Sequence, residues 1–287
     1  MKQNLLAVLL MIGSCLQGCE RPSGTAKDPA PMSAVGTIYP LADVIRAVGG
    51  KRTDVAWLIE TGQSLVSPPG DYVRKLDLAD LIVARGADEQ WALKGVDDPY
   101  RARRYVRLDL LPAARGVQGY VWLDPQVIRE LVAVIRERLV NENSEYEEFF
   151  KSNESAFLKE LDALVTQHQG ILSNAPRRPA LSLTGDFAPL AKAFQLELIP
   201  VLPTSGSALT DDAIRQARKI AAEKGITTLF VPSDRLPAVQ RDIAARTGLR
   251  VLTLDPLGSS ARAGRNTYLQ ILRYNLEQLE QGTNESQ

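Results

Sequence analysis

Residues 144–172 form a long uninterrupted stretch of helical periodicity near the middle of the chain, and any fold has to accommodate it. Phe150, Phe157, Leu161, Leu164, His168 and Ile171 recur at helical spacing with Glu and Lys between them, so one narrow apolar stripe faces protein. Ser144 is placed to cap the start, and Glu145, Glu147 and Glu148 fall in the first turn, where the helix dipole favours negative charge. Gly170, then Asn174 and Pro176, mark the end. At 1.5 Å per residue such a helix spans about 40 Å, the width of two small domains side by side. That length predicts a brace joining two lobes.

The flanking segments each alternate strands with helices. Before the brace, strands are expected at residues 34–38, 53–59, 80–84 and 105–108, with helices over 39–48 and 71–78. A further helix opens at Asp124 and Pro125, a capping residue followed by proline at the first helical position. It places Val127, Leu131, Val134, Ile135 and Leu139 on one face and leads into the brace. After the brace, strands are expected at residues 180–183, 196–201, 227–231 and 250–254. The helices between them cover 187–194, a segment from the Thr210 cap to near Gly225, 237–247, and 265–281. This alternation predicts an α/β chain: two lobes, each with a roughly four-stranded parallel sheet flanked by helices, joined by one long backbone helix. Ligands of open parallel sheets sit outside the carboxyl ends of the strands. The loops after Ile38, Ile59, Leu183, Val201, Val231 and Leu254 are therefore expected to line a cleft between the lobes.

Composition narrows the function. Of 287 residues, 45% are hydrophobic, enough for two cores, and the 34 basic residues balance the 34 acidic ones with no basic stripe, which argues against nucleic acid as a partner. There is no Gly-x-Ser-x-Gly elbow, and the one histidine, His168, lies on the brace, where it serves no Ser triad or Cys dyad, so no enzyme is expected. On the apolar stripe near a helix end, His168 reads as a core or dipole-paired residue. The segment from Gly258 to Gly264 loosely resembles a phosphate-binding loop and reads as a surface connection.

The first 18 residues read as a lipoprotein signal peptide. Lys2 precedes a short apolar run, and Leu16, Gln17, Gly18 and Cys19 resemble a bacterial lipobox, with Cys19 as the lipidated residue. Ile12, Gly13, Ser14 and Cys15 make a weaker second candidate. Export then accounts for both cysteines and leaves no disulfide or thiolate ligand in the mature chain. Residues 19–33, rich in Pro, Ser, Gly, Ala and charge, read as a flexible tether. The expected organisation is thus a signal at 1–18, a tether at 19–33, an N-terminal lobe at 34–143, a linking helix at 144–174 and a C-terminal lobe at 175–287.

Taken in order, the mature chain resembles the solute-binding receptors of ABC transporters that take up zinc or manganese. The resemblance rests on Ile38, Tyr39, Pro40 and Leu41 with Val48, Gly49 and Gly50; on Lys75 and Leu76 leading to Asp80, Leu81, Ile82 and Val83; on Glu89 with Trp91; and on Val121, Trp122, Leu123, Asp124 and Pro125. It continues through the brace, Asp186 and Phe187, and Leu254, Asp255, Pro256, Leu257 and Gly258. It closes with Tyr268, Leu269, Arg273, Tyr274, Asn275 and Leu276.

The resemblance implies a lipid-anchored extracytoplasmic protein, in periplasm or at the cell surface, that captures solute between its lobes as a monomer. It would hand that solute to a permease working with an ATPase subunit, with a divalent metal as the transported solute and no firm cofactor. It also implies histidine ligands on three cleft loops and a carboxylate on a fourth. Here the first would fall among Gln63, Ser64, Leu65, Val66 and Ser67, the second at Tyr120 and the third at Thr184; Asp255 alone keeps a family ligand. Tyr120 also reads as a packed aromatic, Thr184 as a strand-end hydroxyl satisfying backbone, and Asp255 before proline as a turn or cap residue. With oxygen ligands only, an ion there suits manganese or a weak site better than tightly held zinc. The missing histidines leave open a divergent paralogue that binds another small molecule or acts as a surface interaction protein.

Overall fold

A computed structural model describes residues 30–59, 70–93, 98–174, 178–204, 206–235 and 237–284. The signal segment with Cys15 and Cys19, most of the tether and the loop of residues 60–69 lie outside the described residues.

The N-terminal lobe contains β1 (Met32–Ile38), α1 (Tyr39–Gly49), β2 (Thr53–Ile59), α2 (Tyr72–Leu78), β3 (Leu81–Ala84), the short α3 (Pro99–Ala102) and β4 (Tyr105–Arg107). Its sheet is parallel throughout in the order β2-β1-β3-β4, with Ile38 opposite Ile59 and Ile82 opposite Tyr105. β1 starts two residues earlier than expected, because Met32 and Ser33 already pair with Thr53 and Asp54, so the tether ends before residue 33. Gly36 sets how closely α1 lies on this sheet: a Cβ there would stand 2.3 Å from the backbone nitrogen of Ala42.

Two helices follow, α4 (Pro125–Glu142) and α5 (Glu147–Asn174). Asp124 caps α4 by accepting a hydrogen bond from the Gln126 N–H at 2.9 Å, and Val127, Leu131, Ile135 and Leu139 are buried, while Val134 is half-buried. The brace differs from expectation at both ends. Ser144 does not cap it but opens a single 3₁₀ turn, Ser144–Tyr146, after which α5 begins. At the other end α5 runs through Gly170 to Asn174; this glycine has open space around its Cβ position and its missing side chain leaves the helical ladder intact. The stripe also drifts. Phe150, Phe157, Leu161, Leu164 and His168 are buried, whereas Ile171 is exposed and Leu172, four residues after His168, takes its place.

The C-terminal lobe contains β5 (Ala180–Thr184), α6 (Ala188–Ala193), β6 (Leu198–Leu202), α7 (Asp211–Lys224), β7 (Thr228–Pro232), α8 (Pro237–Thr247), β8 (Arg250–Leu254) and α9 (Tyr268–Thr283). Its sheet repeats the first, parallel in the order β6-β5-β7-β8. The Thr210 hydroxyl caps α7, and Gly225, at φ +65°, ends it in the left-handed conformation. α9 starts three residues later than expected: Thr267 is its cap, and Arg265 is held outside the helix by a carboxylate described below.

The two lobes do not have one core each. A single apolar cluster takes in the N-terminal lobe, α4, α5, and the α6 and α9 layer of the C-terminal lobe, through residues such as Phe187, Leu190, Phe230, Tyr268 and Leu276. The layer of α7 and α8 on the other face of the second sheet forms a separate cluster around Leu183, Ala217, Leu229 and Ile243. The brace is therefore interior to the first cluster, and the chain from Pro31 onward is one compact unit. His168 adds a polar tie. Its Nδ1 lies 2.5 Å from Oε1 of Glu280 on α9, with the ring buried.

Candidate functional site

The carboxyl ends of the two sheets meet at one short segment, residues 119–122, between β4 and α4. The Tyr120 N–H donates to the Asp186 carbonyl just past β5 at 2.7 Å, and the Trp122 indole N–H donates to the Pro256 carbonyl just past β8 at 2.7 Å. The Tyr268 hydroxyl at the start of α9 donates to the Trp122 carbonyl at 3.0 Å, and the Tyr39 hydroxyl at the start of α1 donates to the Asn266 carbonyl at 2.6 Å. Gly119 permits the approach. Its φ is +94°, and a Cβ there would stand 2.5 Å from the Asp186 carbonyl oxygen.

Behind this seam, α1 docks on α9 through a carboxylate. Oδ2 of Asp43 accepts the backbone N–H of Tyr268 at 2.7 Å while Oδ1 accepts from Arg46 at 3.1 Å. Burial raises the Asp43 pKa from its ordinary value, opposed by the Tyr268 N–H and by Arg46. Burial likewise lifts the Tyr268 phenol well above its usual value.

Asp255 stands at the carboxyl end of β8, fully buried. Its Oδ1 accepts the backbone N–H groups of Leu257 at 3.1 Å and Gly258 at 2.9 Å, and its Oδ2 accepts one N–H each from Arg262 at 3.0 Å and Arg265 at 2.9 Å. An ionised carboxylate has about four lone-pair sites, and these four donors fill them. Asn275 of α9 fixes the backbone on either side, accepting the Asp255 N–H at 2.6 Å and donating to its carbonyl at 2.8 Å. The carboxylate thus folds residues 256–265 around itself. A cation reaching it would have to displace two guanidinium groups.

Thr184, at the end of β5, is fully buried, and its hydroxyl has no hydrogen-bond partner among the described residues. Tyr120 is buried edge-on against Phe187, with ring centroids 5.0 Å apart, and tilted against Trp122 at 5.1 Å. The three positions singled out from the sequence therefore all lie at the carboxyl ends or on the seam. Of the three, Thr184 alone has a side-chain oxygen without a hydrogen-bond partner among the described residues, and it is fully buried. The loop that would supply the first ligand lies outside the described residues. Among the described residues no group of three or more His, Cys, Asp or Glu is placed to hold a metal ion.

Two further clusters line the same end of the sheets. After β3, Arg85 and Glu89 form a buried pair: Nε donates to Oε1 at 2.8 Å and the Arg85 backbone N–H donates to Oε2 at 2.7 Å, with Nη1 reaching Asp88 at 2.6 Å. Burial raises the Glu89 pKa, and the Arg85 charge opposes the shift. The Arg85 guanidinium lies 5.7 Å from the Trp122 ring, on a cavity of about 320 Å³ that Asp88, Asp109 and Gly119 also line. After β7, the Ser233 N–H donates to the Leu254 carbonyl at 2.7 Å, bringing Ser233 beside Asp255, and the Ser233 hydroxyl is buried without a partner among the described residues. Asp234, next along, has its pKa raised by burial, with the Asp255 charge adding to the shift and Arg235 opposing it. Arg262 and Arg265 carried one sequence signal, as the lone cations in a run of Gly, Ser and Ala, but nothing in the sequence ties them to Asp255.

The profile of the family described as "Zinc-uptake complex component A periplasmic" matches residues 35–282, nearly all of this two-lobe body. The chain belongs to that family. Among curated relatives, the manganese-binding lipoprotein MntA of Halalkalibacterium halodurans is 21% identical over 286 residues, covering 94% of this chain and 95% of its own. The manganese ABC transporter substrate-binding lipoprotein PsaA of Streptococcus anginosus is 21% identical over 308 residues, covering 98% of each. Among solved structures, the laminin-binding protein Lmb of Streptococcus agalactiae, described as an adhesin with metal-transporting activity, superposes with a TM-score of 0.76 at 25% identity over 88% of this chain and 99% of its own. The Zn(II)-bound ZnuA-like domain of Streptococcus pneumoniae AdcA gives a TM-score of 0.76 at 22% identity over 89% of this chain and all of its own. The family fold of two parallel-sheet lobes and one long helix is the fold observed here.

Proposed function

We propose that this chain is the lipid-anchored, extracytoplasmic solute-binding component of an ABC-type metal uptake system. The supporting observation is the family match over residues 35–282, which takes in both lobes and the linking helix. In this reading, residues 1–18 are removed, Cys19 carries the lipid, and residues up to the start of β1 tether a body of two lobes on one helix. Solute is taken at the carboxyl ends of the strands, with the Thr184 hydroxyl as a contact and Tyr120 as an aromatic wall. Asp255, the retained family carboxylate, shapes the floor through its hold on residues 256–265. The loaded monomer docks directly on the permease, which works with its ATPase.

The reading is tested in cells grown under metal limitation. Deleting the gene is expected to lower cellular zinc or manganese by elemental analysis, with restoration by the full-length chain. Unchanged content of both metals would refute it. Cys19→Ser is expected to release the protein from the membrane fraction.

A further inference from the structure

Resting on the solute-receptor reading above, the geometry points to an anion site at the carboxyl ends of β7 and β8: we propose that Arg262, Arg265 and the Ser233 hydroxyl bind a carboxylate-type oxyanion. The starting point is the saturation of Asp255. With its oxygens filled by two backbone N–H groups and two guanidinium groups, it has no lone pair directed at a cation. Its charge instead serves to hold two arginines.

Those arginines are not used up by the task. Each is held by one terminal nitrogen, and neither has another acceptor among the described residues. A guanidinium carries five N–H donors in a planar fork that matches a carboxylate two bonds at a time. Arg265 is further oriented by the Tyr274 ring, its guanidinium carbon 4.4 Å from the ring centroid, and Tyr274 is itself hydrogen-bonded to Thr253 of β8 at 2.6 Å. The two side chains remain 33% and 23% exposed, so they are partly open to solvent while one nitrogen of each is hydrogen-bonded to the buried Asp255 carboxylate. With Asp234 and Arg235 alongside, three guanidinium groups outnumber two carboxylates at this end of the sheet, the opposite balance from what a metal ion needs. Ser233, brought beside Asp255 by its backbone hydrogen bond to the Leu254 carbonyl, adds a buried hydroxyl that has no partner among the described residues.

The oxyanion has two sources of the same chemistry: a free small polycarboxylate, or the anionic shell of a metal complex carried as one unit. Titration calorimetry on the mature chain with citrate, manganese chloride, and equimolar manganese–citrate separates them. Binding of citrate alone supports a free anion as the ligand, and binding of manganese–citrate without binding of citrate supports the complex. In either case Arg262→Lys and Arg265→Lys, which keep an ion pair with Asp255 but remove the fork, are expected to weaken binding about tenfold each, and Ser233→Ala, which leaves the Asp255 cluster untouched, by a few-fold. The proposal is overturned if neither citrate probe binds, or if the lysine variants bind as the wild type does. Loss of cellular metal on gene deletion together with either of those results leaves the receptor reading standing and removes the anion site alone.

Discussion

Replacing Asp255 with asparagine tests whether this carboxylate is an internal structural counter-ion or a group kept for cargo. The side chain keeps its shape, so Oδ1 continues to accept from Leu257 and Gly258, while the amide that replaces Oδ2 presents N–H groups to the N–H groups of Arg262 and Arg265. Two charge-assisted hydrogen bonds are lost, each worth about 1.5–3 kcal/mol. The full sum overstates the cost, because both arginines are partly exposed and regain water when released. A net loss of about 3 kcal/mol remains, at the lower edge of what breaking a buried ion pair costs. For a chain of this size that corresponds to a fall in Tm of about 6–12 °C. Urea unfolding and thermal melts of metal-free protein measure both quantities. An Asp255→Asn variant within 1 kcal/mol of wild type, whose only defect is that added manganese no longer raises its Tm, would refute the counter-ion role and restore Asp255 as a cargo ligand.

Gly119→Ala forces a side chain into a left-handed φ and onto the Asp186 carbonyl, and is expected to cost about 3 kcal/mol or more by urea unfolding, by opening the seam between the sheets. A neutral alanine would mean that the seam is not a tight contact. Asp43, Glu89 and Asp234 all have carboxyl pKa values raised by burial, so the folded state holds their protons to higher pH than the unfolded chain does. The stability this brings is complete below the unfolded value, near 3.8 for Asp43, and is lost as pH rises through the raised folded values. Tm is therefore expected to fall with pH over that window, and Asp43→Asn to flatten part of the fall; a variant with the wild-type slope would rule Asp43 out as a contributor.

Much of the architecture was legible because it is local. The strands β2 and β8 and the helix α8 fall where alternation, capping and breakers place them, and Asp124 caps α4 as a residue before proline should. The misplaced boundaries have tertiary causes. α9 starts late because Arg265 is drawn to Asp255, and β1 starts early because a parallel neighbour, β2, extends it. Ile171 was expected inside and Leu172 is there instead, since a helix of 3.6 residues per turn drifts off a stripe drawn by spacing alone.

By itself, the sequence determined two runs of alternating strands and helices, the long helix between them, and a single histidine, His168, placed on that helix and away from the strand ends. Only the tertiary structure decided what Asp255 does. The donors that fill it come from residues two to ten positions further along a loop with no regular period, so no spacing rule pairs them with it. The same holds for the shared core: which face of α5 and α9 meets the first lobe depends on how two sheets, far apart in the chain, close on residues 119–122.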